Sequence, residues 1–332
     1  MHLSKVGFVL KQAGTANALL PLIEKLKDEG VSVDVLAYER AAQMCAKKGF
    51  AFAKISEFSG AVTHFQKSSP QVVITGTSLQ SEDDGKLWAG LHLANIRTIA
   101  YVEQWCNLLE RFDKVKTLPD QVWVIDETAL KRLVDIFPTL AEKTKISGSP
   151  ALEVSKSFTI EEIKKRNKTA FFISQPMRED DGQTSFQGYS QFHNFKLLKK
   201  TLSSDWKLKI FLHPIDTKSD WMKFVAPSEL SDVDFVENGD KNSLMEEAGL
   251  IVGLTSILLV ETAAAGLPTV SLQVGKKDDS DSYGIDSDSR IVKVFEEQNV
   301  TNENILKSFE TAEAKKEQKQ GSVEVMLKLL GK

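Results

Sequence analysis

The sequence is short of cysteine, of long apolar runs and of excess charge of either sign, and each shortage excludes something. Its two cysteines in 332 residues, Cys45 and Cys106, stand far apart with no CxxC pair. That excludes a disulfide framework and points to inert core thiols in a reducing compartment. No stretch reaches about 18 consecutive apolar residues, so no transmembrane segment is expected. The opening MHLSKVGFVLKQAG turns polar too soon to hold a signal-peptide core. Lys and Arg number 42 against 46 Asp and Glu, for a net charge of -4, and the pI is near 5.9. Without a broad basic surface no nucleic acid is expected as a partner. No basic amphipathic helix is present to lie on a membrane. The acidic runs Asp278-Asp279-Ser280-Asp281 and Asp286-Ser287-Asp288 lack the glycine and closing glutamate of a calcium loop, and they read as a surface loop. The expectation is a soluble, cytoplasmic protein with no metal and no cofactor.

What the chain does have is alternation. Hydrophobic residues make up 42% and charged residues 27%, ordinary for a folded protein. At roughly 100–200 residues per domain, the length suggests two domains. Short β-branched runs alternate with amphipathic helices, the pattern of parallel sheets with helical crossovers. In the first half, strands are expected at 5–10, 31–37, 50–55, 72–75, 98–102, 121–125 and 145–146. The intervening helices are expected at 17–29, 40–48, 59–65, 84–94 and 128–136. A lysine-rich connector runs over 153–168, with a short helix at 160–166. The alternation then restarts, with strands at 170–174, 207–212, 233–236, 250–253 and 269–272. Helices are expected at 190–202, 219–224, 243–247 and 257–265, and two more at 303–312 and 323–330 flank the charged linker 313–321. The predicted fold is α/β, with two Rossmann-like parallel-sheet domains facing a cleft where strand C-termini meet ligand. Their boundaries are placed at 1–155 and 156–300, with C-terminal helices over 301–332.

The sharpest motif is Gly253-Leu254-Thr255-Ser256, followed by Ile257 to Ala265 and Gly266-Leu267-Pro268. An apolar strand ends in small hydroxyl residues, and a helix follows. Thr255 or Ser256 would cap that helix and leave free N–H groups and the positive dipole end for a phosphate. Glu261 lies early in the helix, where it either reaches sugar hydroxyls or is an ordinary exposed glutamate. Gly266 stops the helix. This segment resembles the nucleotide-binding signature of GT-B glycosyltransferases and UDP-N-acetylglucosamine 2-epimerases. In those families a small-residue turn holds the diphosphate and a helix Glu holds the ribose. The resemblance implies phosphate contacts for Thr255 and Ser256 and a ribose contact for Glu261. Where those families often have a glycine-rich turn, this chain has Thr-Ser.

The first half is similar to the same families. Lys11-Gln12-Ala13-Gly14-Thr15 follows the first strand, and Gly14 is expected to make a tight turn that lets substrate approach the backbone. Gly148-Ser149-Pro150 closes the same progression. His213-Pro214 comes directly off a strand, so His213 either meets a phosphate or is a loop histidine. His64 and His92 read as helix residues. Asp83-Asp84-Gly85, His213-Pro214 and Thr255-Ser256 together resemble, in that order, motifs of bacterial sialyltransferases of the GT-B type. On that likeness Asp83 would be the base that deprotonates an acceptor hydroxyl, while His213 and Ser256 hold phosphate. Alternatively Asp83 and Asp84 occupy the first turn of a helix, where the dipole favours acids. Glu103 ends an apolar strand at a place where the epimerases carry Val-Glu, and is a second candidate acid or base. Trp105 either stacks on a sugar ring or packs in the core. The His-Arg-Glu-Asn segment of the epimerases is absent. In its place stands Gln175-Pro176-Met177-Arg178-Glu179, whose Arg178 either meets phosphate or is a solvated loop residue.

The expected activity is a glycosyltransferase moving a sugar from a nucleotide-sugar donor to a hydroxyl acceptor, in surface glycan or polysaccharide biosynthesis. A glycan or lipid-linked acceptor fits that reading. The alternatives are a nucleotide-sugar 2-epimerase or hydrolase on the same fold, or a non-catalytic binding protein.

Overall fold

The computed structural model describes residues 3–79, 81–153, 157–177, 188–277, 284–285, 288–313 and 321–332. The chain divides into two compact units, Met1–Glu153 with Lys319–Lys332, and Val154–Gln318.

In the first unit the strands are β1 (Lys5–Leu10), β2 (Ser32–Ala37), β3 (Ala53–Lys54), β4 (Val72–Gly76), β5 (Arg97–Val102), β6 (Gln121–Val124) and β7 (Thr144–Ile146). They form a seven-stranded sheet in the order β3-β2-β1-β4-β5-β6-β7, parallel throughout. Parallel neighbours need crossovers, and the helices Ala13–Asp28, Glu39–Lys47, Phe58–Ser68, Ser81–Leu93, Leu108–Phe112 and Glu127–Ile136 supply them. Every residue of β4 is buried, as in a sheet covered on both faces. The chain starts at β1, winds outward to β3, then jumps to β4 on the other side of β1. The crevice beyond the ends of β1 and β4 is therefore the point where the winding reverses, the favoured ligand position in such sheets. Close packing there forces a glycine. A Cβ on Gly76, at the end of β4, would lie 2.6 Å from the Thr15 hydroxyl oxygen on the helix after β1.

The second unit repeats the plan. Its strands are β8 (Thr169–Ile173), β9 (Lys207–Phe211), β10 (Val233–Val236), β11 (Leu250–Gly253), β12 (Thr269–Leu272) and β13 (Val292–Val294). The order β10-β9-β8-β11-β12-β13 is that of the first six strands of the first unit, and all pairs are parallel. Its reversal point lies between β8 and β11. One face is anchored by Trp221, fully buried, with the rings of Phe172, Phe192 and Phe195 set edge-on at 5.8, 5.1 and 5.2 Å.

Several elements differ from the sequence-based expectation. The first helix begins at Ala13, four residues before the expected start. The strand expected over 50–55 shortens to Ala53–Lys54, both exposed at the sheet edge. β13 and the helix Leu108–Phe112 were not expected, since each is too short to show a period. The two terminal helices do not form a segment of their own. Asn302–Glu313 belongs to the second unit, whereas Ser322–Leu330 belongs to the first. The return is driven by burial of Met326, Leu327 and Leu330. It is fixed by Glu153, whose carboxylate accepts the Ser322 backbone N–H. Cys45 and Cys106 are both buried free thiols, and burial pushes the Cys45 thiol up, away from reactivity.

Candidate functional site

Three loops lie side by side at the carboxyl edge of the second sheet, after β9, β8 and β11. The middle one carries Gln175, which spans the reversal point. Its Oε1 accepts the Thr255 backbone N–H at 2.9 Å and its Nε2 donates to the Thr255 hydroxyl at 3.1 Å. Thr255 is thereby held, 3% exposed, at the end of β11. Ser256 caps the helix Ile257–Ala264, its hydroxyl accepting the Leu258 N–H at 3.3 Å. The backbone N–H groups of Ser256 and Ile257 donate to nothing among the described residues. Open N–H groups at the positive end of a helix dipole favour an anion.

Glu261 sits about one turn into that helix. It is 8% exposed and accepts from Lys241 at 3.0 Å. Burial pushes its carboxyl up while the Lys241 charge holds it down. His213 follows β9 by two residues. Burial pulls its imidazole below the ordinary value, against the Asp216 charge. Its Nδ1 accepts the Ile215 N–H at 3.4 Å. Among the described residues it makes no hydrogen bond to Thr255, Ser256 or Glu261. Behind these loops Asp216 accepts from the Ser174 hydroxyl and, at 3.1 Å, from the Gln191 amide. Gln191 Oε1 in turn accepts the Gln175 N–H at 2.9 Å. This buried chain fixes the Gln175 loop.

The reversal point of the first unit is built from charge. Glu103, just past β5, is 8% exposed. Its carboxylate faces the Arg111 guanidinium at 3.4 Å and the Thr15 hydroxyl at 3.3 Å. Arg111 also donates to the Thr77 carbonyl at 3.1 Å and hydroxyl at 2.7 Å. A second pair lies nearby. Lys11, directly after β1, donates to the buried Asp84, which also accepts the Ser78 N–H at 2.9 Å and hydroxyl at 3.0 Å. Burial pulls the Lys11 ammonium down to about 7, against the Asp83 charge.

Asp83 and Asp84 both lie in the first turn of the helix Ser81–Leu93, and they point to different surroundings. Asp84 is fully buried, whereas the Asp83 side chain is 40% exposed, with Lys86 at 3.8 Å. Asp83 lines an open cavity of about 880 Å³ together with Lys11, Tyr38, Phe58, Thr63 and others.

Two expectations change. Gly14 makes no tight turn. It lies in the first turn of Ala13–Asp28 with an ordinary backbone, and a Cβ there would sit 3.5 Å from Glu103 Cγ. The helix starts early because Thr15 and Ala16 belong to its buried face. Trp105 is no open platform for a sugar. It is 6% exposed and its Nε1 donates to Asp126 at 2.8 Å, the residue that caps Glu127–Ile136. Arg178 lies outside the described residues, as do most of the acidic run and the charged linker. His64 and His92 are helix residues bonded to Asp34 and Thr98, each at 2.8 Å. Sequence reasoning singled out neither Gln175 nor Lys241 nor Arg111. Gln175 had one legible signal, a polar residue two positions beyond an apolar strand. Among the described residues no group of three His, Cys, Asp or Glu stands where it could hold a metal, and no helix is long and apolar enough to cross a membrane.

No family model and no curated protein matches the sequence. Solved structures do match the fold. The chain is similar to UDP-GlcNAc 2-epimerase from Neisseria meningitidis bound to UDP-GlcNAc, with 14% identity, 99% of this chain and 100% of that chain covered, and a TM-score of 0.69. It is similar to Alr3699/HepE of Anabaena in complex with UDP and glucose, at 12% identity, 99% of each chain and a TM-score of 0.64. The spinosyn forosaminyltransferase SpnP matches at 12% identity, with 100% of this chain and 95% of that chain covered and a TM-score of 0.56. At identities this low the likeness establishes architecture: the chain has the GT-B fold, which nucleotide-sugar epimerases and glycosyltransferases share.

Proposed function

We propose that the chain is a nucleotide-sugar enzyme and, of the reactions its fold serves, a glycosyltransferase with a hydroxyl acceptor. The observation that carries the nucleotide site is the end of β11. There Thr255 is pinned by Gln175, and the N–H groups of Ser256 and Ile257 stand open at a helix N-terminus. A diphosphate fits that end, with His213 as a hydrogen-bond partner and the Lys241-braced Glu261 accepting from ribose hydroxyls. Fold likeness supports a uridine diphosphate, since two of the matched structures hold UDP or a UDP-sugar.

Transfer is favoured over epimerisation by what the first unit offers. Epimerisation needs carboxylates able to take and return protons, and Glu103 is committed to Arg111 and Thr15. Transfer needs one base, and Asp83 is a carboxylate with solvent access and a cavity beside it. In such a transfer a base takes the proton of the acceptor hydroxyl, the oxygen attacks the anomeric carbon, and the nucleotide leaves with the charge on its diphosphate; Asp83 is assigned the base and the helix end at Ser256 the diphosphate. Gly14 presents the backbone of the first turn beside Glu103. Arg178 is assigned an auxiliary phosphate contact. A glycan or a lipid-linked sugar serves as acceptor, in surface glycan assembly.

The experiment is a thermal-shift panel of CMP, UDP and GDP and their sugars against wild type and a Ser256→Ala/Glu261→Ala variant. At about 100 times Kd a ligand stabilises by roughly 2.7 kcal/mol. One base is expected to shift the melting point, and the variant to lose that shift. No shift with any nucleotide overturns the reading. The higher TM-score with the epimerase than with the transferase supports a second reading. Incubation with UDP-N-acetylglucosamine and no acceptor separates the two, because an epimerase yields a new sugar isomer.

A further inference from the structure

Lys241 stands where a helix disfavours a cation. It is the first residue of the helix Lys241–Glu247, which crosses from β10 to β11. Asp240 before it caps that helix, accepting the Ser243 N–H at 2.9 Å. The N-terminal end of a helix carries positive potential, so an ammonium there is repelled by the local dipole. What offsets the repulsion lies on another element. Lys241 Nζ donates to Glu261 Oε2 at 3.0 Å, its one hydrogen bond among the described residues. The two partners differ in burial, the Lys241 side chain being 43% exposed and that of Glu261 10%. Between two exposed groups such a pair contributes little, whereas a buried carboxylate depends on its partner. Burial pushes the Glu261 carboxyl up, and the Lys241 charge holds it down. Among the described residues no second charge bears on it, and His213 on the loop after β9 makes no bond to it. Only one carboxylate oxygen is taken. Glu261 Oε1 bonds to nothing among the described residues. That open acceptor lies about one helical turn beyond the open N–H groups of Ser256 and Ile257.

We propose that Lys241 is the positioning residue of the nucleotide site: by taking Oε2 it turns Glu261 so that Oε1 accepts from a ribose hydroxyl, and it thereby sets a preference for ribonucleotides over deoxyribonucleotides. This role rests on the nucleotide site assigned above and adds the group that orients its carboxylate. Lys241 acts through Glu261 and needs no contact with the ligand. Its charge also keeps a proton off the carboxylate, so that the acceptor stays available as pH falls.

The test is calorimetric titration of the full chain with UDP, 2′-deoxy-UDP and 3′-deoxy-UDP, or the same set on another base if the thermal-shift panel selects one. Wild type is compared with Lys241→Gln, which keeps a donor without the charge, and Lys241→Arg, which keeps both. Wild type is expected to prefer the ribonucleotide to at least one deoxy form by about tenfold or more, as for a hydrogen bond to a charged group. Lys241→Gln is expected to lose most of that preference. Its affinity for UDP is also expected to fall as pH drops from about 7.5 to 5.5, by up to about tenfold for each unit that the Glu261 carboxyl is raised, a fall absent from wild type. Lys241→Arg is expected to recover part of both. Carbon-13 titration of the side-chain carboxyls in the free protein checks the cause without a ligand. The Glu261 signal, identified by its loss in Glu261→Gln, is expected to titrate at higher pH in Lys241→Gln than in wild type. The proposal is overturned if Lys241→Gln keeps the ribose preference, if its affinity shows no acid fall, if Lys241→Arg recovers neither, or if the Glu261 signal does not move. In each case UDP binding by wild type leaves the nucleotide site standing. If wild type binds no nucleotide of the panel, the site itself falls and the role of Lys241 with it.

Discussion

The two sheets of this protein share one strand order and fill the equivalent crevice with opposite chemistry. Beyond β1 and β4 the first unit buries two ion pairs, Lys11–Asp84 and Arg111–Glu103, with side chains between 0% and 7% exposed. Beyond β8 and β11 the second unit gathers amides and hydroxyls, the part-buried Gln175 and the buried Gln191, Ser174 and Thr255, around the carboxylate of Asp216, with the Lys241–Glu261 pair on the helix after β11. Ion pairs at that depth spend their attraction on each other and leave no net charge for a ligand. A neutral polar lining spends only hydrogen bonds and leaves the helix N–H groups to face a ligand. The difference teaches that strand order sets where a crevice lies, and side-chain type decides whether its charges are spent on each other or its hydrogen-bond donors are left open.

The largest expected effect breaks the ion-paired side. Arg111→Met strands Glu103 as a buried unpaired charge and is expected to cost about 3–5 kcal/mol in urea unfolding. Asp216→Asn in the second unit exchanges an ionic acceptor for a neutral one and is expected to cost less, about 1.5–3 kcal/mol. Equal costs would show that the two crevices do not differ in kind. Gly76→Ala sharpens the same point without touching charge. Its Cβ meets Thr15, and overpacking of this sort costs about 1–3 kcal/mol. A double variant with Thr15→Ala is expected to recover part of that loss.

On the hydrogen-bonded side the effects are smaller in stability and larger in binding. Gln175→Ala leaves the buried Thr255 N–H without its acceptor, at about 1–3 kcal/mol. It also frees the loop that presents the phosphate end. Ser256→Ala removes only a cap, about 1 kcal/mol. Calorimetric titration with the nucleotide that passes the thermal-shift panel is expected to show weaker binding for both. If Gln175→Ala binds as wild type does, the pinning of Thr255 has no part in the site.

Much of this was legible in the sequence, and the failures have physical causes. Strands β11 and β12 are bounded as expected, because buried parallel strands read as apolar runs between polar turns. The end of β11 was legible too, since Thr255-Ser256 before a long apolar helix is a cap signal. Gly14 was misread because a glycine after a strand suggests a turn, and the burial of Thr15 that starts the helix early depends on Gly76, far along the chain. The pairing of Glu103 with Arg111 was illegible for the same reason: it joins a strand end to a short helix that has no periodic signature. Asp83 and Asp84 are identical in type and adjacent, and only the register of their helix sends one into the core and the other to the cavity.

The smallest effect separates the two crevices by pH. Burial holds the His213 imidazole below its ordinary value of 6.5. In the free protein the unfolded chain therefore takes up its proton first as pH falls. The contribution of His213 to stability is then present above about 6.5 and lost as pH falls through the folded value. A bound diphosphate reverses that preference, because an imidazolium beside phosphate is favoured. Binding then takes up a proton, and affinity for the nucleotide sugar is expected to rise modestly as pH is lowered from about 7.5 to 5.5. The slope is expected to vanish in His213→Asn, while Lys11→Gln in the first unit leaves it in place. A slope that survives in His213→Asn would move the phosphate partner away from the loop after β9 and leave the helix end at Ser256 to hold the diphosphate by itself.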